Sequence, residues 1–304
     1  MPRGWLAPAA LITIALGLSS GSLSQTQQPL LLGILEDTPG HYADAPPYRD
    51  VRVVFRRGGD RWEAFPGSCS EEDCLKSIAA KFPAEVNWTI AFDGRALGQV
   101  TARTPPAFDF YSTIGQQQII GNTPPPTVGK RSAEFGGFLG QAVCRPLIAV
   151  SQPNYRDPDG WKPAPLPQEL LLATQQAFRQ KFSKVENCTK KNSDKSVAWS
   201  YPTANIQLQK AYASNRNGFL VELSLSGNLC NGPPDDAFAV QWFVITAQRE
   251  VRWLGSDMWL VDAGDYDNDG HSELVFSISG YNRGGYKLFY DDFRHTADFE
   301  FSYH

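Results

Sequence analysis

The sequence predicts a mainly β fold made of antiparallel four-stranded units, with one or two short helices. Three observations carry this. The chain has 26 glycines and 22 prolines in 304 residues, and aromatic residues make up 12% of it, including eight tryptophans. Apolar residues alternate in short runs, and those runs are separated by turn dipeptides at close spacing. That mix suits strands joined by turns better than a helical bundle.

Taken in order, Val51–Phe55, the turn Gly58-Gly59-Asp60 and Arg61–Phe65 read as a hairpin. Asn87–Phe92 and Ala96–Thr101 form a second across Asp93-Gly94, a strong turn pair. Ile206–Ala213 and Phe219–Ser226 form a third across Asn217-Gly218, and Phe238–Thr246 with Val251–Leu254 a fourth. Glu273–Ser279 with Tyr286–Tyr290 form a fifth, and Phe299–Tyr303 reads as a closing strand. One helix is predicted over 71–81, with Ser70 as N-cap and Asp73 at the third helical position. A second starts at Pro167 and carries Leu170, Leu171, Thr174, Ala177, Phe178, Lys181 and Phe182 on one face.

At the N-terminus, Arg3 precedes the apolar run Leu6–Leu18, which is followed by small polar residues to Ser24. The run is too short for a bilayer span, which needs about 20 residues. It fits a secretory signal cleaved near 24/25, the alternative being an apolar helix of the fold. No later segment is long enough to span. We therefore expect residues 1–24 to be a leader and 25–304 a single β-rich domain, secreted or periplasmic. The chain carries 28 Lys+Arg against 32 Asp+Glu, a net charge of -4, which argues against nucleic-acid binding.

Five cysteines in an exported chain imply disulfides, but five cannot all pair. The predicted helix start puts Cys69 and Cys74 at the two positions whose side chains meet in a hydrophobic staple, so a bond there is expected. The alternative is two separately packed thiols. Cys188 and Cys230 could bridge the region between them, and Cys144, in an apolar stretch, reads as a buried free thiol.

The segment Asp265-Tyr-Asp267-Asn-Asp269-Gly270-His271-Ser-Glu273 carries the only recognisable chemistry. Calcium takes six to eight hard oxygen ligands, and carboxylates two residues apart can wrap one ion. Asp265, Asp267 and Asp269 supply alternate ligands, the carbonyl of His271 can add another, and Glu273 can close the shell. Gly270 permits the sharp turn. An EF-hand is excluded, because its twelfth position would be Phe276 and a strand-like run follows. Without metal the same residues would make a plain Asp/Asn/Gly turn.

Entered from Trp259–Asp262 and followed by Leu274-Val-Phe276, this loop resembles the FG-GAP/VCBS type of calcium-loop repeat. The resemblance covers 238–304. It implies a β-propeller blade with Ca2+ held by Asp265, Asp267, Asp269, the His271 carbonyl and Glu273. Only one clear loop occurs, so any propeller would be degenerate. Strands near 240–246, 250–254, 273–279 and 286–290 are then expected in one sheet.

Two lesser signals have two readings each. Asp157-Pro-Asp159-Gly160 is either a remnant calcium loop or an ordinary turn. Trp253, Trp259, Tyr281, Tyr286 and Tyr290 either stack on a sugar or peptide or pack a core. No H-E-x-x-H, P-loop or G-x-G-x-x-G occurs. Of the four His, His41 and His295 have no identifiable nucleophile beside them. The sequence therefore points to an exported protein of binding or structural type with a structural calcium, recognising an unidentified protein or carbohydrate. The alternative is a secreted hydrolase of glycosidic or ester substrates.

Overall fold

The computed structural model describes residues 29–37, 48–69, 74–136, 140–153, 155–191, 193–231 and 235–303. The expected leader, the Ser70–Asp73 helix start, His41 and His304 lie outside the described residues. Within them the protein is mainly β and antiparallel, arranged as three stacked β layers and a helix.

The first layer is a closed ring. Its strands are β1 (Leu31–Asp37), β2 (Tyr48–Gly58), β3 (Arg61–Ala64), β4 (Glu85–Phe92), β5 (Arg95–Arg103), β6 (Gln116–Ile120) and β7 (Leu147–Val150). The sheet order is β1-β7-β4-β5-β6-β2-β3, and β1 also pairs with β2. Six antiparallel strands therefore close on themselves, with β3 appended to the far end of β2. Closure removes free sheet edges. It also explains why the runs in β1 and β7 are nearly all apolar rather than alternating: both strands are buried almost throughout. The expected β2–β3 and β4–β5 hairpins form, and Asp93 and Gly94 adopt the positive φ (50° and 73°) that a tight primed turn requires.

A short helix, α1 (Cys74–Ala79), lies in the crossing from β3 to β4. Cys69 and Cys74 are at disulfide distance, with Cα atoms 6.0 Å apart, as expected. Cys188 and Cys230 make a second pair at 5.3 Å, and Cys144 is the buried free thiol.

The third layer is a five-stranded sheet. After β8 (Lys162–Pro163) comes α2 (Gln168–Lys181), then a small two-stranded sheet of β9 (Val185–Cys188) and β10 (Ser196–Trp199). Next follow β11 (Ile206–Ala213), β12 (Phe219–Leu225), β13 (Gln241–Ile245) and β14 (Val251–Ser256), in the order β14-β13-β12-β11-β8. The α2 helix covers the outer face. Leu170 and Phe178, on its apolar stripe, pack with Val221, Leu223, Phe243 and Ile245.

Between barrel and five-stranded sheet lies a four-stranded meander of β15 (Met258–Gly264), β16 (Glu273–Gly280), β17 (Arg283–Tyr290) and β18 (His295–Ser302). Both of its faces are buried. Val261, Val275, Tyr286, Leu288 and Phe299 face the barrel core, while Met258, Leu260, Leu274, Phe276 and Phe289 pack on Trp242 and Leu220 of the five-stranded sheet. Alternating Leu274, Val275 and Phe276 to opposite cores is the period-two geometry of a strand. Polar contacts pin the layers together. The Trp242 indole N–H donates to the Met258 carbonyl (2.9 Å), and the Tyr286 hydroxyl donates to Glu36 (2.8 Å), which is itself paired with Arg52.

The sheet membership of the C-terminal strands differs from the sequence expectation. The strands near 240–246, 250–254, 273–279 and 286–290 do not share one sheet: β13 and β14 belong to the five-stranded sheet, β16 and β17 to the meander. The chain changes layer at Asp257, whose φ is 56° and whose N–H is held by the Val240 carbonyl at 2.9 Å. The β15 strand then supplies the neighbour that β16 needs.

Candidate metal centre

The loop 265–272 joins β15 to β16, and Gly264 pairs with Glu273 across its base. Its carboxylates fold it. Asp265 accepts from the N–H groups of Asp269 (3.1 Å) and Gly270 (2.9 Å). Asp267 accepts from Asp269 N–H (3.2 Å), and Asp269 accepts from His271 N–H (2.8 Å). Such Asx contacts let the backbone reverse without ladder partners. Asn268 and Gly270 take the left-handed conformation, with φ of 61° and 89°. A Cβ on Gly264 would collide with the Tyr155 hydroxyl, so glycine is required at the foot of the loop.

Asp265, Asp267 and Asp269 are brought together, each offering an oxygen within 4.8 Å of the others. Their burial is graded: Asp265 is buried, Asp267 half-buried and Asp269 exposed. The two other residues read as ligands sit differently. Glu273 is buried at the start of β16, where its carboxylate accepts from Tyr266 N–H at 2.7 Å. The exposed His271 imidazole lies beside Arg216 (3.2 Å) and Asp292 (3.6 Å).

The local electrostatics favour a positive guest. Burial, with Asp267 and Asp269 adding to it, pushes Asp265 up to about 6. Burial and the neighbouring Asp267 push Glu273 up to about 9. Asp267 is also raised by burial, although Arg57 opposes the change. Arg57 comes from β2 of the barrel and places its Nε 2.9 Å from Asp267 Oδ2. It is the one counter-charge paired with these three aspartates among the described residues. Hard oxygens at this spacing, short of positive charge, fit a divalent cation such as calcium.

Behind the loop, Asp157 and Asp159 form a second turn, with Asp157 accepting from Asp159 N–H (3.0 Å) and Gly160 N–H (2.9 Å). The Ser272 hydroxyl shares its proton between Asp157 (2.6 Å) and Asp159 (2.8 Å). Arg216 pairs with Asp159 (2.8 Å) and donates to the Gly270 carbonyl. The 157–160 segment is thus an Asx turn buttressing the 265–272 loop. Sequence reasoning missed Ser272, Arg216 and Arg57. Arg57 leaves no local signal, because it reaches the loop from another layer.

A cleft of about 940 Å3 runs between the barrel and the loop, lined by Arg57, Asn87, Gln152, Asp267 and Asn268 among others. Gln152 hydrogen-bonds Asn268 and donates to the Tyr266 carbonyl (3.1 Å), so the loop is tied to the barrel along the cleft. The aromatic group divides. Tyr286 and Tyr290 pack in the barrel-facing core, whereas Trp253 is 38% exposed and carries the Lys181 ammonium over its ring at 3.7 Å. His295 is exposed beside Asp291 (3.3 Å). No described helix is long and apolar enough to cross a membrane. Comparison with protein-family models, curated proteins and solved structures finds no match for this chain.

Proposed function

We propose that the protein is an exported, calcium-stabilised β-protein of binding or structural type, in which the ion serves the fold rather than a reaction. The observation that carries this reading is the convergence of Asp265, Asp267 and Asp269 within 4.8 Å at the turn between two buried strands. In this reading those three carboxylates hold the ion, and the His271 carbonyl and Glu273 complete the shell. When bound, calcium supplies positive charge and oxygen coordination, with no redox chemistry. Asp265 and Asp267 lie just after β15 and Glu273 starts β16, so filling the loop ties these two strands of the central layer together. The paired cysteines and the polar cleft beside the loop support an extracellular setting and a polar partner.

Binding to the folded state alone stabilises by RT ln(1+[L]/Kd), about 2.7 kcal/mol at a hundredfold excess. Thermal melting and calorimetric titration with calcium test this. Wild type should melt higher in calcium than in chelator, and Asp269→Ala, which removes an exposed ligand, should abolish the difference. Equal melting of wild type in calcium and chelator would remove the reading.

A further inference from the structure

A further cavity, of about 200 Å3, lies on the barrel-facing side of the meander, at the end of β16 remote from the 265–272 loop. Cross-strand pairing builds it. Ser277 pairs with Trp259 of β15 and with Tyr286 of β17. One row further along, Ser279 pairs with Gly284, which pairs with Phe301 of β18. Paired residues share a sheet face. The two middle strands therefore set small residues, Ser277, Ser279 and Gly284, between aromatic residues on the outer strands, three strand spacings or about 14 Å apart. Tyr303 folds back over Gly284, where a Cβ would come within 2.8 Å of its hydroxyl and 2.9 Å of the Phe301 ring. The Phe301 and Tyr303 rings, 5.7 Å apart at 89°, make one wall. Trp259 makes the other and Tyr286 the back, and Phe135, from the chain between β6 and β7, completes the lining.

These rings can be reached. Trp259, Phe135 and Phe301 are half-buried, and Tyr303 is 41% exposed. The polar groups among them are neutral or neutralised. Glu134 is the one charged side chain of the lining among the described residues, and the Lys210 ammonium balances it at 2.8 Å. The Tyr286 hydroxyl is spent on Glu36. The Ser277 hydroxyl and the Trp259 indole N–H have no hydrogen-bond partner among the described residues. A cation is disfavoured, because Arg52 already lies over the Phe301 ring at 4.1 Å and Arg145 over the Phe135 ring at 5.3 Å. An anion would meet the Glu134 carboxylate and no positive side chain in the lining.

We propose that this pocket binds one neutral pyranose ring. The C–H groups of a sugar suit the electron-rich ring faces of Trp259 and Tyr303. Its hydroxyls both donate and accept, which matches the donors of Trp259 and Ser277 and the acceptor oxygens of Glu134. The volume lies below that of drug-sized sites and takes a single ring. The proposal rests on the binding part of the reading above and not on the ion, so its failure leaves the calcium reading standing.

The test is titration of the full-length, oxidised protein with methyl α-glucoside, methyl α-mannoside, methyl β-galactoside and N-acetylglucosamine, read by ligand-observed NMR. Choline chloride and sodium glucuronate serve as the charged controls. At least one neutral sugar should saturate as a single site with a Kd of about 1–10 mM, the level that about a dozen heavy atoms reach at modest efficiency. Both charged probes should bind about tenfold more weakly. Trp259→Ala and Tyr303→Ala should each weaken the sugar by about fivefold or more, while Trp253→Phe, on the five-stranded sheet, should leave it unchanged. Tyr303 is 41% exposed, so its variant keeps the fold even if Trp259→Ala does not, and melting without sugar checks both. The affinity should be the same in calcium and in chelator; saturation seen only in calcium would put the sugar on the ion and overturn the proposal. Absence of saturation by all four sugars overturns it as well. So does choline binding as tightly, or an affinity unmoved by Tyr303→Ala.

Discussion

Asp262→Asn should stabilise the protein at alkaline pH and leave it nearly unchanged in acid. Asp262 sits on β15, 8% exposed, and its Oδ2 accepts from the Asp93 N–H at 3.1 Å. Burial, with the Asp93 charge adding a smaller push, moves its pKa from 3.8 up to about 7, against the pull of the Ala263 N–H and Arg145. A carboxyl whose folded pKa is raised binds its proton more tightly in the folded state. Its contribution is therefore fully present below the unfolded pKa and is lost as pH rises through about 7. A displacement of that size corresponds to about 4 kcal/mol at most. An asparagine carbonyl keeps the bond from Asp93 and never ionises. Urea denaturation of wild type and variant in chelator, at about pH 4.5 and about pH 8, reads the difference. Asp265 and Glu273 titrate in the same direction, but they do so in both proteins and cancel in the comparison. The expected gap grows by several kcal/mol between the two pH values; a gap that stays constant would refute the assignment of the buried charge to Asp262.

Further outcomes follow from other contacts. Arg57→Gln leaves the half-buried Asp267 without its ion-pair partner, so the melting temperature in chelator should fall by the equivalent of about 1–3 kcal/mol. Calorimetry should show calcium binding about tenfold tighter in the same variant, because the loop has lost its internal cation. Of the two cysteine pairs, Cys188–Cys230 spans 42 residues and Cys69–Cys74 spans five. Loop entropy then gives about 4 kcal/mol for losing the first and about 2 kcal/mol for the second, measurable as serine variants in urea. Trp242→Phe leaves the Met258 carbonyl without its donor in the core between sheets and should cost about 1–3 kcal/mol by the same assay.

The hairpins were legible because their signals are local. Asp93-Gly94 and Asn217-Gly218 announce turns, and the alternating runs beside them find each other at short range. The α2 helix was legible from the spacing of Leu170, Thr174 and Phe178, all of which are buried. Ring closure was not, because β1 finds both β2 and β7, and alternation states which face a residue takes but not which strand lies beside it. The same limit misplaced β13 and β14. The aspartates of the loop were legible because the backbone geometry that gathers them is local, repeating every two residues. Arg57 was not, since it arrives from a distant segment and obeys no spacing rule; the Asp157–Asp159 turn was legible as a turn, but its contact with Ser272 was not.

Because the ring closes through β1, the order in which the chain is made matters. The β1 strand is an early segment of the chain, and it can join β2 as soon as that follows, but its other edge is completed only when Leu32 meets Val150. Until then a hydrophobic strand presents an open row of amides and carbonyls, the kind of template that recruits other chains. Long-range pairings of this sort also slow folding. A truncation ending before β7 should therefore yield a sticky, unclosed sheet instead of a smaller stable domain. The interval before Val150 is made is the one in which this chain most needs to be kept from its neighbours.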